Sequence, residues 1–500
     1  MEILSVFEDY VKKKKYPALS KDMIVDVTVI GGGITGVTAA YLLSRQNKSV
    51  ALVEAHEIGK GATGNSTGNL YATVGNKGLH GIKSKFDKET MSNVVKARGE
   101  AVNFIESLVN EFKIDCDFKR IPWCLFSEED KQSYVDKEEH AAKDAGLNVS
   151  HGIKFPFKIA TGFKLENQAQ FNPFKYVIGL AENTSNGCEI FENTKVTDVE
   201  EQNDSIIVHT SGGKITCKDV VMATHTPKGV YQVHSMMGVY REYAIAVTLN
   251  GEYPADGTYW NHLESEHYSM RTYENEGGKV LMILGETHKV GQKDDNRECF
   301  ENLEKFVRQH FSVEKIAYKW AAQQYKPADT LPYIGRTTDS SRVYIATGFS
   351  ADGLTYGTLA SMIITDQILG RKNKWSEIFD AQRHTPLDSA GEVIKENINV
   401  AAQYIKDLPF IGDVSNFEDV QNGSGKVVEV EGEKFAAYRD KDGQLHVVSA
   451  VCTHMKCIVN WNTSEKSWDC PCHGSRFNCE GEVIEGPAIA DLYKLKNDKL

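Results

Sequence analysis

The chain has 500 residues, a formal net charge of −12, 41% hydrophobic and 25% charged residues, enough for two or three domains with real cores. The acidic balance, with no basic stretch interleaved with aromatics, argues against nucleic-acid binding. No apolar run reaches the length of a membrane-spanning helix and none follows the N-terminal lysines, so neither a transmembrane segment nor a secretory signal is expected, and a cytoplasmic location is.

The first informative stretch is Val27-Thr-Val-Ile-Gly31-Gly32-Gly33-Ile-Thr-Gly36, continuing with helical apolar spacing through Leu43. A short β-branched strand breaks into glycines and reopens as a helix. Gly31 makes the tight turn, Gly33 lets a pyrophosphate approach the backbone, and Gly36 permits close packing of helix on strand. The helix N-terminus then offers free N–H groups to phosphates. Val50-Ala-Leu-Val-Glu54 follows as a second strand ending in an acid suited to ribose hydroxyls, which completes a dinucleotide-binding context.

Three later stretches point to FAD rather than a nicotinamide. Gly61–Asn69, with Ser66 and Thr67, is a glycine- and hydroxyl-rich loop suited to phosphates and a flavin edge. Asp219–His225 reads as a strand ending in small residues. Val343–Phe349 and Asp352–Gly357 form a late strand–glycine–helix unit, with a helix expected over Thr358–Leu369 and its N-terminus directed at the electron-rich edge of a reduced isoalloxazine. Taken in this order, residues from about Asp26 to Arg383 resemble the FAD-dependent D-amino-acid-oxidase-like superfamily, which includes glycine and sarcosine oxidases. Pro327–Arg336 resembles that superfamily's segment leading to the flavin. The resemblance implies that Gly31, Gly33, Gly36 and Glu54 bind the ADP half, and that Gly335, Gly348, Gly353 and Leu354 lie near the isoalloxazine. It also implies an α/β Rossmann-type FAD domain over about 1–385, with insertions at about 75–163 and 231–325. The insertions would form an α+β substrate domain with an antiparallel sheet, and the alternations Tyr243–Leu249 and Lys279–Leu284 suit its strands.

The substrate site is less sharply written. Arg241 or Arg271 would clamp a substrate carboxylate bidentately, and Tyr243, His288 or Tyr325 would line the pocket. Each also reads as an ordinary ion pair or a satisfied core residue. Residues 386–410 follow as a linking helix, whose apolar stripe (Val393, Ile394, Ile398, Ala401, Ala402, Ile405) would strap the last domain to the first.

Near the C-terminus stand Cys452-Thr-His454 and, fifteen residues after the histidine, Cys470-Pro-Cys472-His473-Gly-Ser475. Two thiolates for one iron and two neutral imidazoles for the other is the ligand set of a Rieske [2Fe–2S] centre. Zinc also takes two cysteines and two histidines, although its ligand pairs are usually spaced more widely than Cys-x-His. Cys457 and Cys472 lie beside the two ligand loops, Ser475 is placed to donate to a sulfur, and Gly486-Pro487 suits a third, shielding loop. Short β-patterned runs (426–430, 435–439, 446–451) suit a small all-β domain over 411–500.

Residues from about Val427 to Leu495 resemble a Rieske domain of the respiratory-complex type. That resemblance implies a Cys457–Cys472 disulfide, and an imidazole edge of His454 and His473 facing outward as the electron exit. Phe477 departs from the pattern, since respiratory examples carry a tyrosine there that bonds a ligand sulfur; losing that donor lowers the potential. The expected function is oxidation of a small substrate, an amine or amino acid, by hydride transfer to FAD. Electrons would then leave singly through the cluster to an acceptor that is a protein or a quinone. A cluster feeding the flavin for a reduction or hydroxylation, or one serving as a structural or sensing module on a flavin oxidase, are the alternatives.

Overall fold

The computed structural model describes residues 5–9, 11, 14–75, 77–129, 132–263, 267–384, 389–407 and 412–494. The ends of the linking segment, 386–388 and 408–410, and the last residues of the C-terminal segment, 495–500, lie outside them.

Strand Val27–Ile30 is buried along its whole length at the middle of a six-stranded sheet. Its neighbours Val50–Val53 and Asp219–Met222 are equally buried, as β-branched and apolar runs are when helices cover both faces of a parallel sheet. Cys188–Phe191 and Val343–Thr347 extend the sheet in parallel, and Tyr333–Arg336 closes it antiparallel. The first strand has Val50–Val53 on one side and the much later Asp219–Met222 on the other. The winding therefore reverses there, which opens a crevice beyond the carboxyl ends of the strands. Helix Ile34–Ser44 is buried on nearly every side and packs against helix Gly353–Ile368, which begins five residues earlier than the spacing suggested.

A second sheet of nine strands stands beside the crevice. Its long strands Met237–Leu249, Gly278–Lys289 and Val313–Pro327 pair antiparallel. The sheet is mixed rather than purely antiparallel, because Thr258–His262 joins Lys119–Ser127 in parallel. That seam is where the two inserted stretches meet: strands distant in sequence have no hairpin to impose opposite directions. The sheet also takes in Thr161–Gln170 and Asn69–Leu70, so its strands run past the expected boundaries at 163 and 325. A four-stranded sheet (Met23–Ile24, Val196–Glu201, Ile206–Thr210 and Gly213–Cys217) covers a further edge.

The C-terminal segment folds into two small antiparallel sheets, Gly425–Val430/Glu433–Arg439/Leu445–Ser449 and Asn460–Asn462/Ser467–Asp469/Arg476–Phe477/Val483–Glu485. Trp468 and Phe477, both fully buried, are cross-strand partners in a core that also holds Cys452, Cys457, Cys470 and Cys472. That core is separate from the apolar clusters of the two large sheets.

Helix Ala390–Asp407 lies between the parts, but not on its apolar stripe. Ile394 and Ile398 are 57% and 61% exposed, Ala401 and Ala402 are exposed too, and the side chain of Ile405 lies outside the described residues. Polar side chains orient the helix instead. Glu392 pairs with Lys77 and Lys85, Glu396 with Lys289 at 2.7 Å, and Asn399 with Gln292 at 2.9 Å. Val400 packs against the C-terminal core. Among the described residues no helix is long and apolar enough to cross a membrane.

The C-terminal segment meets the nine-stranded sheet closely. Gly474 has φ +77°, and a Cβ there would come within 2.4 Å of Val239 Cγ1. Gly443 has a similar φ of +89°, but a Cβ there would meet nothing nearer than 4.0 Å. Gly474→Ala should therefore cost about 1–3 kcal/mol more than Gly443→Ala, by overpacking rather than backbone strain. Urea unfolding of the two variants measures the difference, and equal costs would show that the close approach carries no energy.

Candidate functional site

A single cavity of about 860 Å³ runs from the crevice to the nine-stranded sheet and on to the C-terminal segment. At one end it is walled by Gly31–Gly33, Glu54 and the 60–67 loop. Gly31 sits at φ +109°, where a Cβ would fall 2.4 Å from the Ala223 carbonyl, so the turn holds only glycine. Glu54 accepts the Gly32 N–H at 2.7 Å at the end of its strand. Ser66 and Thr67 line the cavity, with their hydroxyls engaged by Thr63 O and Asn69. Main-chain N–H groups and one acid thus line this end, the donor and acceptor set that phosphates and a ribose take.

At the other end, Gly353 and Leu354 open a helix whose N-terminus faces the cavity. Asp352 fixes that turn by accepting from Tyr71 Oη at 2.6 Å and Gly75 N at 2.9 Å. The fully buried Arg98 approaches the same carboxylate at 3.2 Å and stacks on Tyr356. Gly36, Gly335 and Gly348 are not on the cavity wall: Gly36 faces Gly31 across the turn, Gly335 packs on Gln367, and Gly348 on Pro327.

Of the five pocket candidates, Arg241 and Tyr325 reach the cavity; Tyr243, Arg271 and His288 do not. Tyr243 is fully buried and shares hydrogen bonds with His288 and Asn296 inside the sheet's core. Arg271 donates to Gly68 O at 2.7 Å and lies against Phe7 and Tyr273, so it supports the 61–69 loop. Arg241 is no open carboxylate clamp. It forks onto Glu465 with Nε at 2.7 Å and a second, shorter contact, and reaches Glu485 at 3.2 Å. Arg476 binds the same two carboxylates and Asp469, at 3.1, 2.9 and 2.9 Å.

Burial pushes the Glu465 and Glu485 carboxyls up. For Glu465 the Arg241 and Arg476 guanidiniums more than reverse this, and for Glu485 His225 joins them, so both end below the usual carboxylate range. Burial pulls the Lys228 ammonium, also on the cavity wall, down to about 8.

The C-terminal ligand loops are tight turns. Cys452 N donates to Cys457 O at 2.8 Å, and Cys470 N to Ser475 O at 2.8 Å. The Cys457–Cys472 disulfide joins the loops. The Cys452 and Cys470 thiols face one another, and their mutual hydrogen bond favours one thiolate in the pair. His454 Nδ1 and His473 Nδ1 are buried with no hydrogen-bond partner among the described residues. Two sulfurs and two orphaned imidazole nitrogens on adjoining loops fit the donor set of a [2Fe–2S] cluster. Ser475 Oγ accepts from Ala488 N at 3.0 Å, which brings the Gly486-Pro487 loop over the site.

The imidazole edge does not face outward. His454 Nε2 donates to Gly229 O at 3.2 Å, and the His234 ring lies 5.2 Å from His454 and 6.2 Å from His473. Docking of the C-terminal segment buries His473 and leaves His454 half-buried, bonded to loop 229–234. His225, Gly229, His234, Gln323, Glu465, Arg476 and Glu485 escaped the sequence reading. Their roles rest on contacts across the seam, such as Arg241 with Glu465 and Glu485 or His454 with Gly229, and nothing local marks those.

The sequence profile of FAD dependent oxidoreductases matches residues 26–367, and that of the Rieske [2Fe-2S] domain matches residues 411–496. The chain belongs to the FAD dependent oxidoreductase family. It carries a C-terminal Rieske domain, and its cofactors are FAD and a Rieske cluster. It is 32% identical over 501 residues to the Rieske 2Fe-2S iron-sulfur protein YhfW of Bacillus subtilis (strain 168), covering 97% of this chain and 96% of that protein. Glycine oxidase of Bacillus licheniformis is 25% identical over 386 residues, 72% of this chain and 97% of that one. The crystal structure of glycine oxidase from Geobacillus kaustophilus superimposes with a TM-score of 0.58 at 17% identity, covering 72% of this chain and 99% of that chain, a likeness of fold.

Arg241→Met would leave Glu465 and Glu485 with Arg476 as their remaining guanidinium and should cost about 3 kcal/mol. Carboxyls held below their unfolded value contribute fully above about pH 4.5 and lose that contribution as pH falls from there to their lower folded value. The variant's stability should accordingly fall less than the wild type's between pH 6 and pH 3. Urea titrations across that range check both statements; parallel curves would show the ion pairs to be energetically silent.

Proposed function

We propose that this protein oxidises a small amine or amino acid in the cavity and passes the electrons one at a time, through the C-terminal centre, to an external acceptor that is a protein or a quinone. The observation that carries this reading is the shared wall. Residues 483–486 of the Rieske domain line the same cavity as Gly31–Gly33 and Gly353. When bound, FAD takes up two electrons together and yields them singly, and the [2Fe–2S] cluster carries one.

The chain's own groups divide the work. The Gly31–Gly33 turn and the N-terminus of helix Ile34–Ser44 receive the pyrophosphate, and Glu54 the ribose. Gly353 and Leu354 lie toward the isoalloxazine in this reading. Cys452 and Cys470 hold one iron, and His454 and His473 the other. Phe477, in the buried core, has no hydroxyl to donate to a sulfur, so the cluster potential is lower than with tyrosine there. The guanidiniums of Arg241 and Arg476 are taken up by carboxylates of the Rieske domain. Arg241 holds that domain against the cavity rather than clamping a substrate, and Arg476, itself in the Rieske domain, braces the carboxylates that Arg241 meets.

The test is anaerobic. The purified protein should contain two irons per FAD and give a Rieske-type EPR signal on reduction, and an amine or amino acid should bleach its flavin. Cys452→Ser should keep the bleaching and lose the iron signal, while reduction of cytochrome c drops to background. Zinc in place of iron, or full cytochrome c reduction by the variant, would overturn the electron outlet. A flavin that no amine bleaches, but that is reduced by a donor acting at the cluster, would reverse the direction of flow.

A further inference from the structure

The strand Val313–Pro327 touches both functional centres. Gln323 and Tyr325 lie on one face of it, two residues apart, and both line the cavity. Both are nearly inaccessible to solvent, at 5% and 2% exposure. Gln323 Nε2 donates to Tyr325 Oη at 2.8 Å and to Gly474 O at 2.9 Å. Tyr325 Oη in turn donates to Gly486 O at 3.1 Å.

Gly474 follows the ligand His473 directly, and Gly486 begins the loop that reaches Ser475 through Ala488 N. Two adjacent side chains thus bond to two separate loops over the cluster site. A polar side chain buried at such a seam costs free energy unless its partners are in place, so the pair defines one docked position. Opposite Tyr325 on the sheet stands Val239, the residue against which Gly474 packs, so the strand pairing sets the approach of the ligand loop. The histidine edge faces inward at the same seam, through His454 on Gly229 O.

We infer that Gln323 and Tyr325 are the positioning residues of an internal electron bridge from the flavin cavity to the cluster, with the histidine edge as its inlet. This rests on the electron flow proposed above and names the residues that serve it. Each transfer moves one electron and no atom: the reduced flavin loses one and the oxidised cluster gains one. An external one-electron oxidant then restores the cluster.

The experiment needs no substrate. The intact protein, holding FAD and cluster, is photoreduced with EDTA under argon, and the cluster's appearance in EPR and visible circular dichroism is timed against flavin bleaching. In Tyr325→Phe and in Gln323→Met, cluster reduction by the photoreduced flavin should slow about tenfold, the scale of one lost buried hydrogen bond in a rate. The EPR spectrum after dithionite should match wild type and the melting temperature should fall by no more than about 2–4 °C, which separates a bridge from a merely structural contact. Unchanged timing in both variants would overturn the inference. So would a cluster whose dithionite-reduced spectrum changes along with the rate, because that would place the effect in the cluster's own ligation. A protein whose flavin no amine bleaches, yet whose photoreduced flavin still reduces the cluster at a rate set by Tyr325, would retain the bridge and remove the proposed substrate class.

Discussion

Five buried charges decide how the two parts of this protein sit together. Arg241 comes from the nine-stranded sheet; Arg476, Glu465, Glu485 and Asp469 come from the Rieske domain. Isolated, any of them would be too costly to bury, and the cost is met only where each finds its counter-charge with good geometry. A shift of the domain by a fraction of a side chain would leave Arg241 uncompensated, since its carboxylates both belong to that domain. Such a network selects one docking geometry sharply, even where its net contribution to stability is modest.

The remainder of the interface is consistent with that arrangement. The Rieske core around Trp468 and Phe477 does not merge with the apolar clusters of the larger part, so greasy burial is not what joins them. The contacts are hydrogen bonds to loop carbonyls, the ion pairs of Arg241 and Lys195, and close approaches at Gly474 and Gly291. A polar seam of this kind resembles the interfaces between subunits more than the inside of a domain. It places a redox centre beside a cavity without requiring the two parts to share a core.

The consequence for chemistry is a cavity with walls of mixed origin. A flavin oxidase needs a crevice at strand ends and a sheet above it, and both are here. The addition is a third wall, formed by residues 483–486, which brings the cluster loops against the cavity. Arg241 illustrates the exchange: a guanidinium on the sheet facing the cavity, a natural anchor for a carboxylate, is occupied by carboxylates of the chain itself.

What the sequence by itself determined were the local units. The glycine turn at Gly31, the acid at the end of Val50–Val53, and the paired Cys–His loops each depend on residues close in the chain, whose conformations follow from backbone sterics and ligand chemistry. The periodicity of Glu392–Lys406 correctly announced a helix, but not its orientation, because ion pairs with Lys77, Lys85 and Lys289 outweighed its isoleucine stripe. Only the tertiary structure decided which cations remain open, which way the histidine edge points, and that Tyr325 touches Gly486. Those outcomes depend on pairs separated by between about 160 and 245 residues. A contact of that kind is selected by shape and charge once the chain has collapsed, and no neighbouring residue in the sequence records it.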